Sequence, residues 1–327
     1  MKLSVREERT VSYDLMRWKY VILGTIIMVF LGTVYSYSVF RLSIENLFEV
    51  GATESGMPYM FALSFYAFFM FLTGKYLDKF KPRNIILFGG FLVSIGWILS
   101  SFATNIIILT LTYGIIGGAG VGIAYGVPMT VAARWFPEKK GLVVGLVLVG
   151  FGLSPLITAP LVRILIENFG LMRAFLILGI GFALILPILA SQFKYPEIKS
   201  SDSQNTANLL NQGNNLKTSE MIKSKSFKGL YPNFIIGTMI GLTLIGMTTS
   251  IGIDFIGLEP RKITGLMAIF AIFNGIGRPI FGWLTDRLSS KRAMLLSYFL
   301  IIFSAILVIV SGENSILIYG ISFSIFW

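Results

Sequence analysis

An arginine, Arg278, lies inside an apolar run of this 327-residue chain. Asn274 precedes it by one helical turn, and Ala271 and Gly282 would extend the same helix face. A charge within a membrane helix costs about 2.5–3.5 kcal/mol on insertion scales, so such a residue usually faces a partner or a cavity. Because a guanidinium stays charged and can bind a carboxylate through two parallel hydrogen bonds, the pattern predicts an anion site. The alternative is an arginine tied to helix carbonyls or to a buried carboxylate.

Two tyrosines are the candidate companions of Arg278 in that site. Tyr35 lies near the end of the first apolar run, and Tyr125 lies deep in the fourth. A tyrosine offers a hydroxyl to a carboxylate and an apolar ring to the wall of a cavity. The alternative is ordinary aromatic packing, because 14% of the residues are aromatic. Tyr66 and Phe151 are secondary candidates for the same site.

The residue types exclude several classes of chemistry. The chain has no cysteine, which excludes disulfides and thiolate metal sites, and no histidine, the commonest metal ligand and proton switch. It has no G-x-x-x-x-G-K-[ST] motif for nucleotide phosphates and no paired carboxylates in an apolar run. We therefore expect neither enzyme activity nor a cofactor nor a metal.

Four glycines recur at every fourth position of the fourth apolar run, at 114, 118, 122 and 126. The G-x-G-x-G pattern within them resembles part of a dinucleotide motif but has no preceding strand. Small residues at this spacing allow close helix packing, so we interpret the glycines as a helix seam.

The composition predicts an all-α integral membrane protein. It is 55% hydrophobic and 13% charged, whereas soluble domains carry about 25% charged residues. A membrane span needs about 20 mostly apolar residues. By that measure the predicted spans lie near 20–40, 56–77, 84–103, 106–133, 141–166, 172–193, 231–254, 263–285 and 293–311, with a tenth starting near 315.

The distribution of Lys and Arg predicts the orientation. With the amino terminus in the cytoplasm, the inside segments carry 21 Lys and Arg residues and the outside loops carry 5. The net charge of +11 is then a signal of membrane topology, and we expect no nucleic-acid partner. We expect a multi-pass plasma-membrane protein with the lipid bilayer as its environment.

The spans divide into two groups. We predict a cytoplasmic segment 1–19, an amino-terminal six-helix bundle 20–193, a flexible cytoplasmic linker 194–230 and a carboxy-terminal bundle 231–327. Because the tenth span is still apolar at Trp327, we expect the chain to be incomplete at its carboxyl end.

One motif occurs twice, 208 residues apart. Each copy reads G-x-x-x-D-[KR], follows an apolar run and precedes a basic cluster, and both copies fall in predicted cytoplasmic loops. We interpret the two copies as a gate that locks this face when it closes. The candidate gate residues are Gly74, Asp78, Arg83, Gly282, Asp286 and Arg287.

Two six-span halves with this repeat resemble the major facilitator superfamily. Within it, four stretches resemble the oxalate/formate antiporter family and the monocarboxylate transporters: YSYSVF at 35–40, RWFPEKKG at 134–141, GFGLSP at 150–155 and NGIGRP at 274–279. Pro155 and Lys81 depart from the usual pattern and leave the subfamily open. The resemblance implies twelve spans around a central cavity in a complete relative.

The resemblance also implies a role for Arg278, which matches the substrate-binding arginine of span 8 in the oxalate/formate antiporters. A lysine of span 11 supplies their second cation, and that position lies beyond Trp327. We therefore expect a monomeric secondary transporter that exchanges small mono- or dicarboxylates by alternating access. A proton-coupled monocarboxylate symporter is the alternative, and a transport-inactive receptor on the same fold is the alternative from another class.

Overall fold

The computed structural model describes residues 5–196, 218–310 and 315–326. Within these ranges every regular element is a helix, which confirms the predicted all-α fold. The α-helices are α1 (Val5–Leu31), α2 (Tyr37–Phe48), α3 (Ala52–Gly74), α4 (Pro82–Ser100), α5 (Ile106–Leu109), α6 (Gly118–Trp135), α7 (Lys140–Phe169), α8 (Leu171–Ser191), α9 (Thr218–Lys223), α10 (Lys225–Ser250), α11 (Pro260–Leu288), α12 (Ser290–Val310) and α13 (Ile316–Phe326).

Seven helical runs among the described residues are long and apolar enough to cross a membrane. They are Met16–Phe48, Ala52–Gly74, Pro82–Ser100, Ile106–Trp135, Lys140–Phe169, Leu171–Ser191 and Ser290–Val310. The predicted seventh and eighth spans coincide with α10 and α11, where several side chains lie outside the described set, and α13 is a shorter apolar helix. The chain is therefore a multi-pass membrane protein.

Two of the first four spans change helix type partway along, which the apolar pattern does not predict, and a further π segment, Ile251–Phe255, ends span 7. Gly32–Ser36 is a 3₁₀ segment between α1 and α2, and Thr110–Gly117 is a π segment between α5 and α6. A Cβ added at Gly32 would lie 2.8 Å from the carbonyl oxygen of Phe151, so only glycine permits this approach of span 1 to α7. The approach places Tyr35 beside Phe151.

The predicted glycine seam of span 4 is confirmed at Gly114, Gly118 and Gly122, which pack on α3, but a Cβ at Gly126 would meet only Leu77 Cδ1 at the ordinary distance of 3.9 Å. A Cβ at Gly118 would lie 2.5 Å from the carbonyl oxygen of Ala62, and one at Gly114 would lie 2.9 Å from that of Pro58, both in α3. Gly122 meets the backbone of Tyr66 in the same helix. This packing fixes the height of Tyr66 against span 4.

The termini of the predicted segments differ from the structure. The predicted amino-terminal segment 1–19 is helical from Val5 and continuous with the first span. Residues 197–217 of the predicted linker lie outside the described residues, and from Thr218 the chain is helical again. The helix that carries span 7 begins at Lys225, six residues before the apolar run, and it continues through Gly229 and Pro232.

By packing, the described residues form two compact units. The first consists of the residues up to Tyr195 together with Asn274–Ser290, and the second of the residues in Pro196–Phe273 and Lys291–Trp327. The division falls within α11, and a division into the halves 20–193 and 231–327 remains a prediction. Every contact described in the next subsection lies within the first unit.

Candidate functional site

Arg278 of α11 reaches across to α7 within the first unit. Its Nη1 donates to the carbonyl oxygen of Leu148 at 3.0 Å, and its Nη2 donates to Oδ1 of Asn274 at 3.0 Å. The predicted shared face of Asn274 and Arg278 is thus confirmed, because the two side chains join one turn apart. The guanidinium is half-buried.

Glycines of α7 make room for α11. A Cβ at Gly152 would lie 3.2 Å from Cζ of Arg278 and 3.1 Å from Oδ1 of Asn274, so the guanidinium rests against bare backbone. A Cβ at Gly145 would lie 2.6 Å from Cα of Pro279. The absence of side chains at these positions lets the arginine reach Leu148.

An aromatic cluster adjoins the arginine. The buried ring of Phe151 meets Tyr35 edge-on at 4.9 Å and Tyr125 edge-on at 5.0 Å, between ring centroids. The Tyr66 ring lies 5.1 Å from that of Tyr125, between ring centroids. Phe151 directly precedes Gly152, the residue against which the Arg278 guanidinium rests, and the rings of Tyr35, Tyr66 and Tyr125 all lie beside Phe151. The structure therefore brings together all six residues proposed for the anion site.

The electrostatic balance of this group is positive. Both described acceptors of the guanidinium, the Leu148 carbonyl and the Asn274 amide, are neutral. Within the described residues no carboxylate forms an ion pair with Arg278. The guanidinium therefore has no counter-charge among the described residues, and the neighbouring tyrosines can donate hydrogen bonds to an anion.

The second copy of the repeated motif binds the start of α7. Oδ1 of Asp286 accepts from the backbone N–H of Gly141 at 2.9 Å, and Oδ2 accepts from that of Leu142 at 2.9 Å. The first N–H groups of a helix have no partner within the helix, and the helix dipole favours an anion there. Gly282 packs directly on the Gly141 backbone, so a side chain at either glycine would separate the two helices.

The first copy of the motif binds the other end of the same connection. Asp78 forms an ion pair with Arg134, whose guanidinium also lies 4.1 Å above the ring of Tyr195. The Tyr195 hydroxyl donates to the carbonyl of Leu77 at 2.8 Å. Both aspartates of the repeat thus hold the α6–α7 connection, one at its start and one at its end. We call the end of the bundle with this connection the basic end.

An arginine of α1 holds the same connection from a third direction. Nε of Arg17 donates to the carbonyl of Trp135 at 2.7 Å, its guanidinium pairs with Glu138, and it lies 4.1 Å above the ring of Phe136. Partial burial raises the pKa of Glu138, but hydrogen bonds from its own backbone and from Arg17 outweigh this and hold the pKa below its usual value.

The remaining gate candidates make fewer contacts. Arg287 lies 5.2 Å above the ring of Trp283 in its own helix, and Arg83 is exposed. A Cβ at Gly74 would meet no atom within 4 Å among the described residues, unlike one at Gly282. In this structure Asp78 pairs with Arg134 and not with the basic cluster that follows it.

Sequence reasoning missed several residues of the site and the gate. The Leu148 acceptor is a backbone carbonyl, which no residue type reveals. Gly141 and Gly145, spaced by four, were a detectable sign of close helix packing in α7. Gly152 and Arg134 lie within the motifs GFGLSP and RWFPEKKG, but the sequence does not indicate that they contact Arg278 and Asp78.

Comparison with protein families decides the class. The sequence model of the Major Facilitator Superfamily matches residues 21–327. The chain belongs to this superfamily. Members of this superfamily are transporters and not enzymes, which confirms the predicted fold class and agrees with the prediction that the chain is not an enzyme.

Curated relatives within the superfamily agree with the predicted resemblance. The oxalate:formate antiporter of Oxalobacter formigenes is 28% identical over 281 residues, which is 85% of this chain and 65% of the antiporter. Monocarboxylate transporter 12-B of Danio rerio is 29% identical over 248 residues, 68% of this chain and 51% of that protein. The chain thus spans between half and two thirds of the length of these relatives.

Solved structures of other superfamily members share the fold. A double-Trp mutant of XylE matches 96% of this chain and 78% of its own, with a TM-score of 0.65 and 14% identity. A bacterial homolog of the lysosomal transporter Spinster, solved inward-facing and unoccupied, matches 96% of this chain and 72% of its own, with a TM-score of 0.58 and 16% identity. At these identities the likeness concerns the fold alone.

Proposed function

We propose that this superfamily member is a secondary transporter of small organic anions in which Arg278 binds the substrate carboxylate. The observation that carries the proposal is a half-buried guanidinium whose described acceptors are a carbonyl and an amide. A charge withdrawn from water without a counter-charge costs several kcal/mol. A bound carboxylate offsets that cost, which favours binding of an anion over a neutral substrate.

The geometry gives the carboxylate its contacts. One hydrogen bond from each terminal nitrogen of Arg278 goes to the protein, and the remaining N–H donors are available to a ligand. The hydroxyls of Tyr35, Tyr66 and Tyr125 add neutral donors at the same site. The edge-on contacts of Phe151 orient the tyrosine rings, so the donors are positioned before the substrate arrives.

The substrate class follows from this donor set and from the relatives. The names of the two curated relatives, an oxalate:formate antiporter and a monocarboxylate transporter, both refer to carboxylates. A single arginine with tyrosine hydroxyls suits one carboxylate group, and a dicarboxylate would need a second cation. We propose mono- or dicarboxylates as substrates of this transporter.

Alternating access would use the contacts of the basic end. We propose that Asp286 on the amino terminus of α7 and Asp78 on Arg134 close this end, and that these contacts separate when it opens. From the distribution of Lys and Arg we propose that the basic end and the amino terminus lie in the cytoplasm. A plasma-membrane monomer is the form in which we propose that the protein works.

Anion exchange is the coupling that the site favours. Among the described residues around Arg278 there is no carboxylate or imidazole that would carry a proton near neutral pH. The chain contains no histidine at all. We therefore propose that uptake of one anion is coupled to the release of another anion through the same site.

Counterflow into proteoliposomes tests the proposal. The purified protein is reconstituted with unlabelled formate or oxalate inside, and uptake of the labelled anion is followed with and without a pH gradient. Exchange predicts uptake that requires the internal anion and is unchanged by the gradient. Uptake driven by the gradient without an internal anion would instead identify a proton symporter. Absence of uptake for a panel of mono- and dicarboxylates would favour a transport-inactive receptor.

A further inference from the structure

Among the described residues of the first unit, two buried hydroxyl groups have no hydrogen-bond partner in the protein. They are Oγ1 of Thr33 and Oη of Tyr113, and both are inaccessible to solvent. Thr33 is 1% exposed and Tyr113 is 2% exposed. A buried hydroxyl without a partner costs about 1–3 kcal/mol, so a structure with two of them calls for an explanation.

Local backbone structure accounts for the free hydroxyl of Thr33. A threonine in an α-helix usually donates to the carbonyl four residues earlier. Thr33 lies in the 3₁₀ segment Gly32–Ser36, and the carbonyl of Val29 accepts the hydroxyl of Ser154 at 2.6 Å. Because of the change of helix type and the approach of α7, the Thr33 hydroxyl does not donate to the Val29 carbonyl.

Tyr113 lies in the other irregular segment, the π segment Thr110–Gly117. Its ring packs between aromatic neighbours, 5.2 Å from Tyr37 and 5.2 Å from Trp97. Single π turns inside α-helices are frequent at functional sites. Both orphaned hydroxyls therefore belong to the two segments in which the first unit departs from regular α-helix.

Thr33 and Tyr113 line the same small cavity. Its volume is about 10 Å³, and Gly117 and Gly118 expose backbone to it where the π segment ends. A cavity of this size holds about one water molecule if two or more polar partners face it. The remaining walls are apolar, apart from Tyr66 and Trp97.

We propose that this cavity is a binding site for one water molecule, which bridges the hydroxyls of Thr33 and Tyr113. The water joins the 3₁₀ segment of span 1 to the π segment of span 4. It also adjoins the anion site, because Tyr66 lines the cavity and belongs to the tyrosine cluster. Thr33 stands two residues before Tyr35 in the same 3₁₀ segment.

A double-mutant cycle tests the bridge through stability, independently of transport. Thr33→Val and Tyr113→Phe each remove one hydroxyl and keep the shape of the side chain. With the water present, each variant leaves the other hydroxyl and the water poorly satisfied, and we expect the Tm in detergent to fall by about 2–4 °C. The double variant should fall no further than the worse single variant, because the bridge is lost only once.

The control replaces a buried hydroxyl that is satisfied within its own helix. Ser94 is 4% exposed and donates to the carbonyl of Gly90 at 2.8 Å. Ser94→Ala combined with Tyr113→Phe should show additive Tm changes.

If Thr33→Val and Tyr113→Phe raise the Tm or leave it unchanged, the hydroxyls have no partner to lose and the proposal is wrong. Additive losses in that pair would equally overturn it.

A structure at a resolution that shows ordered solvent provides a second test without any variant. The proposal predicts density for one oxygen at about 2.7–3.2 Å from both Thr33 Oγ1 and Tyr113 Oη. Empty density between the two atoms, or direct hydrogen bonds from both to protein carbonyls, would contradict it.

Discussion

At the residue scale, the position of the Arg278 guanidinium depends on what α7 lacks. Asn274 holds one terminal nitrogen from within α11, and the Leu148 carbonyl holds the other. The flat face between them rests on Gly152. The first of these contacts followed from the spacing of four residues, whereas the second depends on how two helices meet and has no sequence signature.

Gly152→Ala should weaken substrate binding without unfolding the protein. The added methyl would lie 3.2 Å from Cζ of Arg278, which is closer than nearly all side-chain contacts, and would push the guanidinium aside. Small misplacements of binding groups are costly, and we expect KM for the anion to rise about 10-fold. Gly181→Ala, whose methyl meets no atom within 4 Å, is the control. Equal KM values for the two variants would refute the packing argument.

Tyr35→Phe should separate the hydroxyl of this residue from its ring. The edge-on contact with Phe151 at 4.9 Å survives the change, so the cluster should remain intact. A hydrogen bond to a charged group contributes about 1.5–3 kcal/mol, so we expect KM to rise by about 10-fold or more. The concentration dependence of uptake measures this effect. The same change at Tyr76, an exposed residue of the basic end, should have none.

At the element scale, the aspartates of the two motif copies bind the α6–α7 connection in different ways. Asp286 binds the backbone of α7, while Asp78 binds a side chain, Arg134, that is itself partly exposed. Exposed ion pairs contribute about 0–1 kcal/mol, and a cap on a helix terminus about 0.5–2 kcal/mol. The second copy should therefore carry more of the closing free energy at this end.

Asp286→Ala should expose the start of α7 to hydrogen exchange. Without the carboxylate, the N–H groups of Gly141 and Leu142 lose their acceptor, and we expect faster exchange by about 2- to 30-fold in that segment. Exchange followed by mass spectrometry reports it directly. Asp78→Ala is the matched variant, since its carboxylate accepts no described hydrogen bond from this backbone. Unchanged exchange in Asp286→Ala would show that the cap does not hold the connection.

The order and approximate extent of the helices were predictable from the sequence, because apolar runs of sufficient length have few alternatives in a membrane. The 3₁₀ segment Gly32–Ser36 and the π segment Thr110–Gly117 were not. Both depend on how neighbouring helices approach, at Gly32 against α7 and at Gly114 against α3. Apolar periodicity carries no information about a change of one residue in hydrogen-bond spacing.

At the scale of the whole molecule, the motif G-x-x-x-D-[KR] occurs twice, 208 residues apart, whereas Arg278 has no equivalent at that spacing. The position 208 residues before Arg278 is Met70, so the charge has no counterpart in the first half. Membership of the Major Facilitator Superfamily was predictable because the motifs lie in loops and at close helix contacts, where only few residue types fit. The identity of the substrate was not predictable in the same way, because it depends on which hydrogen-bond donors the fold brings together around Arg278.

Binding of carboxylates to the Arg278→Ala variant tests the central claim most directly. The purified proteins are titrated with formate, acetate and oxalate, and calorimetry gives Kd for the wild type and for Arg278→Ala. Arg163→Ala, which removes an exposed arginine of α7, is the control. Loss of a buried charged partner costs about 2–5 kcal/mol, so we predict a Kd at least about 30-fold higher in Arg278→Ala and unchanged in Arg163→Ala. Wild-type affinity in Arg278→Ala would contradict the assignment of the anion site.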